Sequence, residues 1–473
     1  METSAAERRS WWRTPLAAYA LMIAGTIGAF FLIRLYGETL TATQLYLVDS
    51  GTKAPTTSRV LFHVLLALAA VIAVGRLLAA LFRLLGQPSV IGEVMAGIVL
   101  GPSVLGAIWP EAASVLLPKD VAPELGLVAQ LGVILYMFCV GLELDPDLLQ
   151  KRGPATIAVS HASIAVPFLL GALVALGMYP RYAAQNVSFT VYALFIGAAM
   201  SVTAFPVLAR ILADCGMMRT PLGVMALTCA AADDATAWCL LALVVGVAQA
   251  EVASALYVIV SAMIYVLVMF WMVRPALRRW SNRFHAESLP ATAVATLLLL
   301  LMLSSLATEL IGIHAIFGAF LLGAIMPHDS RVAHELNVRI ESLVTMLLLP
   351  AFFALTGMRT ELALLQGSVN WLWCGIIVVA AIAGKVGGTV AAARLTGLTW
   401  REASSLGVLM NTRGLMGLIV LNIGLDLEII SPAVFAMMVV MALVTTLATT
   451  PVLRLLARPQ AGGGIEENFS GGI

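Results

Sequence analysis

The sequence predicts an all-α polytopic membrane protein with about fourteen transmembrane helices. Of its 473 residues, 61% are hydrophobic and only 11% are charged, and its mean hydropathy is +0.98. These values exclude an ordinary soluble globular domain. Apolar runs recur along the chain, each long enough to cross about 30 Å of hydrocarbon as a helix. The runs are continuously apolar instead of alternating, which favours helices over the strands of a barrel.

The first apolar run follows Arg8, Arg9 and Arg13 and is long, with no small-residue cleavage site, so we interpret it as a signal anchor that stays in the protein. Short polar loops separate most of the later runs. The predicted spans are residues 15–35, 60–83, 89–109, 122–144, 154–178, 190–214, 221–248, 252–274, 291–311, 313–327, 341–358, 369–395, 402–424 and 431–457.

The basic residues predict the orientation and the domain limits. With the N-terminus in the cytoplasm, 19 of the 27 Lys and Arg residues fall on the inner side and 6 on the outer side. Both termini are then cytoplasmic. Residues 1–58 comprise a cytoplasmic segment, an extra helix and an outer loop, and 59–458 form the main membrane domain. The Gly-rich residues 459–473 are expected to form a short disordered tail.

Two adjacent carboxylates, Asp233 and Asp234, lie in the middle of the apolar stretch PLGVMALTCAAADDATAWCLLALVVGVA. A charged side chain at the centre of a spanning helix costs roughly 2.5 to 3.5 kcal/mol, so the pair needs a cation, a proton or a basic partner. The two side chains are about 100° apart around the helix axis, so one can pair while the other titrates. We interpret the pair, together with Thr203, as an ion- and proton-binding site.

Two spans contain features that interrupt helices. AAMSVTAFPVLARIL includes Pro206, which removes a backbone hydrogen bond, and Thr203, which can satisfy freed backbone groups. LMNTRGLMGLIV includes Gly414 and Gly417, which weaken the helix. A weak echo between LYMFCVGLELDPDLL and PAFFALTGMRTELALL, in helices of opposite direction, indicates inverted repeats. The sequence thus predicts two broken helices that cross near mid-membrane and direct their ends at a small ion.

Lys385 and Arg413 are the basic residues that lie deep within spans, and we assign both as charge partners of the aspartates. An ammonium beside a buried carboxylate favours its charged form, so the cluster is suited to exchanging a proton for a cation. An alternative is a neutral ion-pair cluster that only holds the helices together. Glu93, Glu309 and His314 are interpreted as structural residues.

Six segments resemble those of the second monovalent cation:proton antiporter family, particularly its plant CHX-type members and bacterial sodium/hydrogen exchangers. They extend in order from Gln87 to about Pro451 and cover most of the chain. The segments are QPSVIGEVMAGIVLGPSVLG, GVILYMFCVGLELD, SVTAFPVLARIL, AAADDATAWCLLAL, IGIHAIFGAFLLGAIMP and GVLMNTRGLMGLIVLNIGLD.

The resemblance implies a core of thirteen helices, divided between a dimerisation domain and a mobile ion-binding domain, and hence a homodimer with elevator-like alternating access. Asp234 matches the family's ion-binding and proton-carrying aspartate, and Lys385 matches the lysine that pairs with Asp233. Thr203 and Pro206 match the broken-helix motif. The chain departs from the family in its extra N-terminal span and in Arg413, where plant relatives usually carry lysine.

The sequence therefore predicts a secondary active antiporter, and not an enzyme, that exchanges Na⁺ or K⁺ for protons. We expect an alkali cation at Asp234, no cofactor, no nucleic-acid partner and a location in the bacterial inner membrane. A potassium efflux channel is the alternative function. An intramembrane aspartyl protease would need two carboxylates that face one water, and adjacent helical aspartates point apart.

Overall fold

The computed structural model describes eleven parts of the chain, almost entirely as helices. The predicted segment before residue 13, most of the outer loop and the tail 459–473 lie outside the described residues. The described parts are residues 13–40, 57–87, 89–116, 118, 121–143, 154–184, 186–218, 220–249, 252–282, 290–327 and 330–457.

Twenty α-helices follow one another in the described chain. They are α1 (Arg13–Gly37), α2 (Thr57–Leu84), α3 (Ser89–Leu100), α4 (Leu105–Ile108), α5 (Pro110–Leu116), α6 (Ala122–Glu143), α7 (Pro154–Tyr182), α8 (Phe189–Ser201), α9 (Phe205–Asp214), α10 (Pro221–Gln249), α11 (Val252–Val268), α12 (Arg274–Ser281), α13 (Ala291–Ile311), α14 (Ala315–Ile325), α15 (Arg331–Leu343), α16 (Leu349–Arg359), α17 (Ser368–Leu395), α18 (Trp400–Met410), α19 (Gly414–Asp426) and α20 (Pro432–Ala457).

The all-α membrane fold is confirmed. Ten helices of the described chain are long and apolar enough to cross a membrane, and four further apolar helices are shorter. Three of the shorter ones, α1, α8 and α14, fall within predicted spans, and the fourth is the apolar part of α19. The exact number of spans stays a prediction.

Two predicted span limits were wrong. The span predicted at 341–358 begins at Arg331, because α15 continues into α16 through the π-helical turn Val344–Leu348. The polar residues of α15 lower its mean hydropathy, so hydropathy alone places the start of the span too late. The span predicted to end at residue 274 continues through the π-helical turn Met269–Val273 to Ser281.

The helices divide into two compact units. The described residues of unit 1 lie within 1–45, 149–237 and 367–473. Those of unit 2 lie within 46–148 and 238–366. Unit 1 therefore contains α1, α7 to α9, the first part of α10, and α17 to α20. Both broken helices and both aspartates belong to unit 1.

In unit 1, α17 lies directly against α7 because glycines face the contact. A Cβ added to Gly384 would lie 2.7 Å from the Cα of Pro167, and one added to Gly388 would lie 2.8 Å from the Ala162 carbonyl oxygen. Only glycine permits this approach of two backbones. The approach brings Lys385, on the same face of α17, to the buried side chains of α7.

The extra helix α1 packs on α7 and α8 within unit 1. The rings of Phe30 and Phe168 lie 5.7 Å apart, and Gly37 leaves room for the ring of Phe189. At the end of α1, Glu38 accepts a hydrogen bond of 2.9 Å from the Thr190 hydroxyl. The extra N-terminal helix is thus attached to the unit that contains the aspartates.

In unit 2, α6 packs on α14, and α3 packs on α2 and α16. Two of the three residues interpreted as structural, Glu309 and His314, lie at the N-terminus of α14. Glu309 accepts a hydrogen bond of 2.8 Å from the Ala315 backbone N–H, and His314 is the N-cap residue. Glu93 lies with Arg76 and Thr345 at a small cavity in the same unit.

The α7–α17 contact is tested by substituting the two glycines that face it. We expect Gly384→Val and Gly388→Val each to lower the stability of the folded protein by about 1–3 kcal/mol, because the new side chain overlaps backbone atoms. Thermal unfolding of the purified protein measures the change. Gly387→Val is the matched control, since a Cβ at Gly387 meets nothing within 4 Å. Equal losses at all three positions would attribute the effect to helix propensity instead.

Candidate ion-binding site

Two interrupted helices cross in unit 1. The first runs through α8 and α9 with a break at residues 202–204, and the second runs through α18 and α19 with a break at 411–413. The breaks contact each other directly, since the Ala204 backbone N–H donates a 2.8 Å hydrogen bond to the Thr412 carbonyl. Each break leaves helix-end groups inside the protein that need partners.

Two buried cations satisfy the carbonyls at the end of α8. Lys385 donates to the Ser201 carbonyl at 2.6 Å, and Arg413 donates to the Met200 carbonyl. The guanidinium also donates to the Ala381 carbonyl at 3.0 Å. Positive charge at this position complements the negative C-terminal end of the helix dipole. The Arg413 guanidinium therefore stabilises a helix end, and its side-chain hydrogen bonds among the described residues go to backbone carbonyls.

A threonine from another helix caps the start of α19. The Thr446 hydroxyl on α20 accepts hydrogen bonds from the backbone N–H groups of Arg413 (3.2 Å) and Gly414 (3.1 Å). These are donors that the first turn of a helix leaves unpaired. Gly414 itself lies where a side chain would press on Val207 of α9, so the crossing requires a glycine there.

Asp233 is fully buried and is surrounded by donors. Ser160 donates to its Oδ1 at 2.7 Å. Its Oδ2 accepts from Thr203 at 2.9 Å and from Lys385 at 3.0 Å and also contacts the Ser163 hydroxyl. Hydrogen bonds of this kind stabilise the ionised form of a carboxylate. Asp233 and Lys385 are therefore a buried ion pair.

Lys385 uses all of its hydrogen-bonding capacity. Its ammonium donates to the Ser163 carbonyl at 2.9 Å, to the Ser201 carbonyl at 2.6 Å and to Asp233. An ammonium has three N–H donors and no acceptor. Each of the three donors has one partner, so the contacts fit the protonated form of the side chain.

Asp234 is also buried, with 1% of its surface exposed. Its hydrogen bonding, however, differs from that of Asp233. Neither carboxylate oxygen has a hydrogen-bond partner in the described part of the chain. The backbone N–H of Phe205, the first residue of α9, faces the carboxylate without a hydrogen bond of full geometry. A buried carboxylate in this position is stable only when it holds a proton or a cation.

Within the described part of the chain, Asp234 is thus a carboxylate without a hydrogen-bond partner, next to the Asp233–Lys385 ion pair. Carboxylate oxygens are hard ligands of the kind that alkali cations prefer. In the described residues, no group of three or more His, Cys, Asp or Glu side chains is placed to hold a metal ion. The carboxylate oxygens of Asp234 thus offer the type of ligand that a monovalent cation prefers.

Several predicted residues meet at the crossing. Thr203 and Lys385 both donate hydrogen bonds to Asp233, and Asp234 follows on the same helix. Pro206 is the second residue of α9, directly after the break. Gly417 differs from the expectation, because it lies one turn inside α19 rather than at the break.

Sequence reasoning missed the four hydroxyl residues Ser160, Ser163, Ser201 and Thr446. Ser160 and Ser163 are three residues apart, so they lie on one face of α7. Two serines on one face of an apolar span are a signal that could have identified them. Thr446 carries no comparable signal, since threonine hydroxyls in α20 also bond to their own helix, as Thr445 does with Met441.

Comparison with known proteins decides the family. The chain matches the family described as "Sodium/hydrogen exchanger, transmembrane" over residues 66–457. The chain belongs to the sodium/hydrogen exchanger family. The match includes both broken helices and the two aspartates of this exchanger.

Curated relatives of the exchanger come from bacteria, plants and yeast. The Na⁺/H⁺ antiporter NhaS4 of Synechocystis sp. is 42% identical over 81% of the chain and 94% of the relative. Cation/H⁺ antiporter 20 of Arabidopsis thaliana is 40% identical over 83% of the chain, and K⁺/H⁺ antiporter 1 of Saccharomyces cerevisiae is 35% identical over 82%. The matches cover only 48% and 46% of the plant and yeast proteins.

A solved structure shares the fold of the exchanger. The sodium/proton antiporter MjNhaP1 of Methanocaldococcus jannaschii superposes with a TM-score of 0.61. The match covers 84% of this chain and 96% of that one, at 14% sequence identity. The fold is therefore retained where the sequence has diverged widely.

The cap on α19 is tested by removing its hydroxyl. We expect Thr446→Val to lower the stability of the exchanger by about 1 kcal/mol, because two backbone N–H groups lose their partner. Thermal unfolding measures the change. Thr450→Val is the control, since the buried Thr450 hydroxyl, one turn further along α20, has no hydrogen-bond partner among the residues that the structure describes. Equal stability of the two variants would contradict the capping role.

Proposed function

We propose that the protein is a secondary active antiporter that exchanges a monovalent cation, Na⁺ or K⁺, for protons by alternating access. The observation that carries the proposal is the Asp234 carboxylate, which is buried at the crossing of two broken helices and has no hydrogen bond of full geometry to any described residue. Such a group must be neutralised at every stage. A proton and an alkali cation can each do this, but not both at once.

Competition for Asp234 couples the two fluxes. When Asp234 binds a cation on one side of the membrane, it releases its proton there. When it returns empty of cation, it must carry a proton, because a bare carboxylate cannot be buried at this site. The free energy of one gradient thereby drives the other ion, with no covalent step and no cofactor.

The names of the relatives support exchange of a cation for protons and include both candidate cations. One relative is named as a Na⁺/H⁺ antiporter and another as a K⁺/H⁺ antiporter. Asp234, as the ligand, does not by itself distinguish the two ions, because both prefer oxygen ligands. We therefore propose exchange of either ion, at the same carboxylate.

A potassium efflux channel is the alternative function. A channel conducts the cation without returning protons, and it has no need of a carboxylate that must be neutralised. An aspartyl protease is disfavoured by the contacts of the pair. Asp233 is occupied by Lys385, Ser160 and Thr203, so the two carboxylates do not share one water.

The family plan extends the proposal to the whole protein. Unit 1 contains the aspartates, so we propose it as the mobile ion-binding domain and unit 2 as the dimerisation domain of a homodimer. The excess of basic residues in the predicted inner loops supports cytoplasmic termini and an orientation in the bacterial inner membrane. On this proposal the protein's partners are the two ions, the surrounding lipid and a second copy of the chain, and the protein is a transporter rather than an enzyme.

Loss of the Asp234 charge tests the exchange. We expect Asp234→Asn to abolish cation-dependent proton movement in proteoliposomes, because the amide neither binds the cation as an anion nor carries the proton. A pH-sensitive dye inside the vesicles measures proton movement after addition of Na⁺ or K⁺. Glu361→Gln removes an exposed carboxylate in unit 2 and serves as the control with normal exchange.

The same assay separates the two candidate functions. Exchange that persists in Asp234→Asn at the wild-type rate would remove Asp234 from the mechanism. Cation flux through the wild type with no opposing proton movement would establish the channel function. Loss of exchange in a variant that elutes and unfolds as the wild type does would support antiport.

The buried ion pair gives a separate prediction. Lys385→Ala leaves Asp233 buried without its cation, which is expected to cost about 3–5 kcal/mol of stability. Adding Asp233→Asn removes the uncompensated charge, so we expect the double variant to be more stable than Lys385→Ala alone. Thermal unfolding of the wild type, both single variants and the double variant completes the cycle. Additive losses would show that the two side chains are not coupled.

A further inference from the structure

The span formed by α11, the π-helical turn Met269–Val273 and α12 is the most exposed of the ten long apolar helices in the described chain. Only 11% of the residues in its most apolar stretch are buried, against 28–72% in the other nine. Its contacts lie along one side, where the Tyr265 hydroxyl is 2.6 Å from the Ser304 hydroxyl of α13 and Met269 and Leu277 are buried. The opposite side of the span is exposed.

A continuous apolar row runs along this exposed side. Its members are three or four positions apart, which places them on one face of a helix. They are Val260, Ile264, Leu267 and Trp271, and all four are exposed. Trp271 has 80% of its surface exposed. Exposed tryptophans are typical of the level at which the hydrocarbon meets the lipid headgroups.

The same row ends in arginines. Arg274 and Arg278 continue the spacing of three and four residues, and Arg279 follows in the sequence. All three side chains are exposed. Residues 252–282 contain no acidic residue, and none of the three arginines forms a salt bridge with another described residue. Within the described part of the chain, their positive charge is therefore not compensated.

We propose that this face binds an anionic phospholipid of the inner leaflet. The binding face, which we call the α11 stripe, consists of Val260, Ile264, Leu267, Trp271, Arg274 and Arg278. The lipid phosphate lies at the two guanidinium groups, whose planar donors match phosphate oxygens, and an acyl chain lies along the apolar residues. The basic end of the span is the end predicted to be cytoplasmic, where anionic lipids attract basic residues. The inference goes beyond the proposed exchange and does not depend on it.

The general excess of basic residues on the inner side would by itself require no bound lipid. Other inner arginines differ from those of the α11 stripe in having protein partners. Arg339 is paired with Glu335 at 2.9 Å, and Arg401 donates to the Leu456 carbonyl at 2.8 Å. The α11 stripe instead combines uncompensated charge with an exposed apolar row, which is complementary to an anionic headgroup and its acyl chain.

A second copy of the chain is the other occupant that an apolar face could take. Copies related by a two-fold axis along the membrane normal place the same residue at the same depth. Direct contact through the α11 stripe would therefore bring the arginines of the two copies together, and like charges in contact oppose association. An anionic lipid supplies the opposite charge, so the charge of the stripe favours the lipid.

Native mass spectrometry of the purified exchanger, titrated in a neutral detergent with phosphatidylglycerol, tests the binding. Phosphatidylcholine with the same acyl chains has no net charge and measures non-specific retention. Arg274→Gln/Arg278→Gln removes two charges from the α11 stripe. The matched control is Arg83→Gln/Arg454→Gln, which removes two exposed arginines from the last turns of α2 and α20.

We expect the wild type and the control to bind phosphatidylglycerol more tightly than phosphatidylcholine. In the stripe variant this preference should fall about 25-fold, because each basic residue near the membrane surface contributes about fivefold to the attraction of anionic lipid. Arg278→Gln alone should lower it about fivefold. An unchanged preference in both stripe variants would overturn the proposal.

Three further outcomes would also contradict it. Equal weakening in the stripe variant and the control would show that inner-side charge attracts the lipid without a site. Glycerol phosphate that competes as well as whole phosphatidylglycerol would show that the apolar row takes no part. A wild-type dimer in phosphatidylcholine that has no preference for phosphatidylglycerol would assign the face to a second copy. None of these outcomes alters the cation and proton fluxes, so the antiport is judged separately by its own assay.

Discussion

The contact between two interrupted helices is the constraint on which the site depends. The Ala204–Thr412 backbone hydrogen bond joins the two breaks, and each break leaves helix ends in the interior, where water cannot satisfy them. The surrounding residues meet this requirement one group at a time. Lys385 and Arg413 satisfy the end of α8, and Thr446 satisfies the start of α19. Lys385 and Arg413, which satisfy backbone carbonyls, thus also supply the positive charge at the helix crossing.

The two aspartates are adjacent in sequence but have opposite environments because a helix turns about 100° per residue. That rotation directs Asp233 at α7 and α17, where donors are numerous, and leaves Asp234 with the amide at the start of α9. A single carboxylate could not be both firmly paired and free to exchange. Two in succession, on one rigid helix, provide both conditions within a short distance.

The sequence was sufficient for the membrane class, the positions of the broken helices and the burial of Asp233, Asp234 and Lys385. These residues are recognisable because charge is rare and costly in an apolar span. The sequence was insufficient where chemistry depends on packing between distant segments. Ser160 is separated by 73 residues from Asp233, and nothing local indicates their contact. The start of α15 was missed for a different reason. Its polar residues lower the mean hydropathy below the value that predicts a span, although the helix is continuous.

The attachment of α1 to unit 1 changes how that unit meets the bilayer. Its outer face presents Leu32 and Leu35, with 70% and 66% of their surfaces exposed, while its inner face is fixed to α7 and α8 through Phe30 and Glu38. The apolar surface of α1 is therefore part of the surface of unit 1, the unit that contains the aspartates. A mismatch between the apolar length of α1 and the hydrocarbon thickness costs fractions of a kcal/mol per Å. Because α1 is fixed to unit 1, such a mismatch would bear on the same unit that contains Asp233 and Asp234.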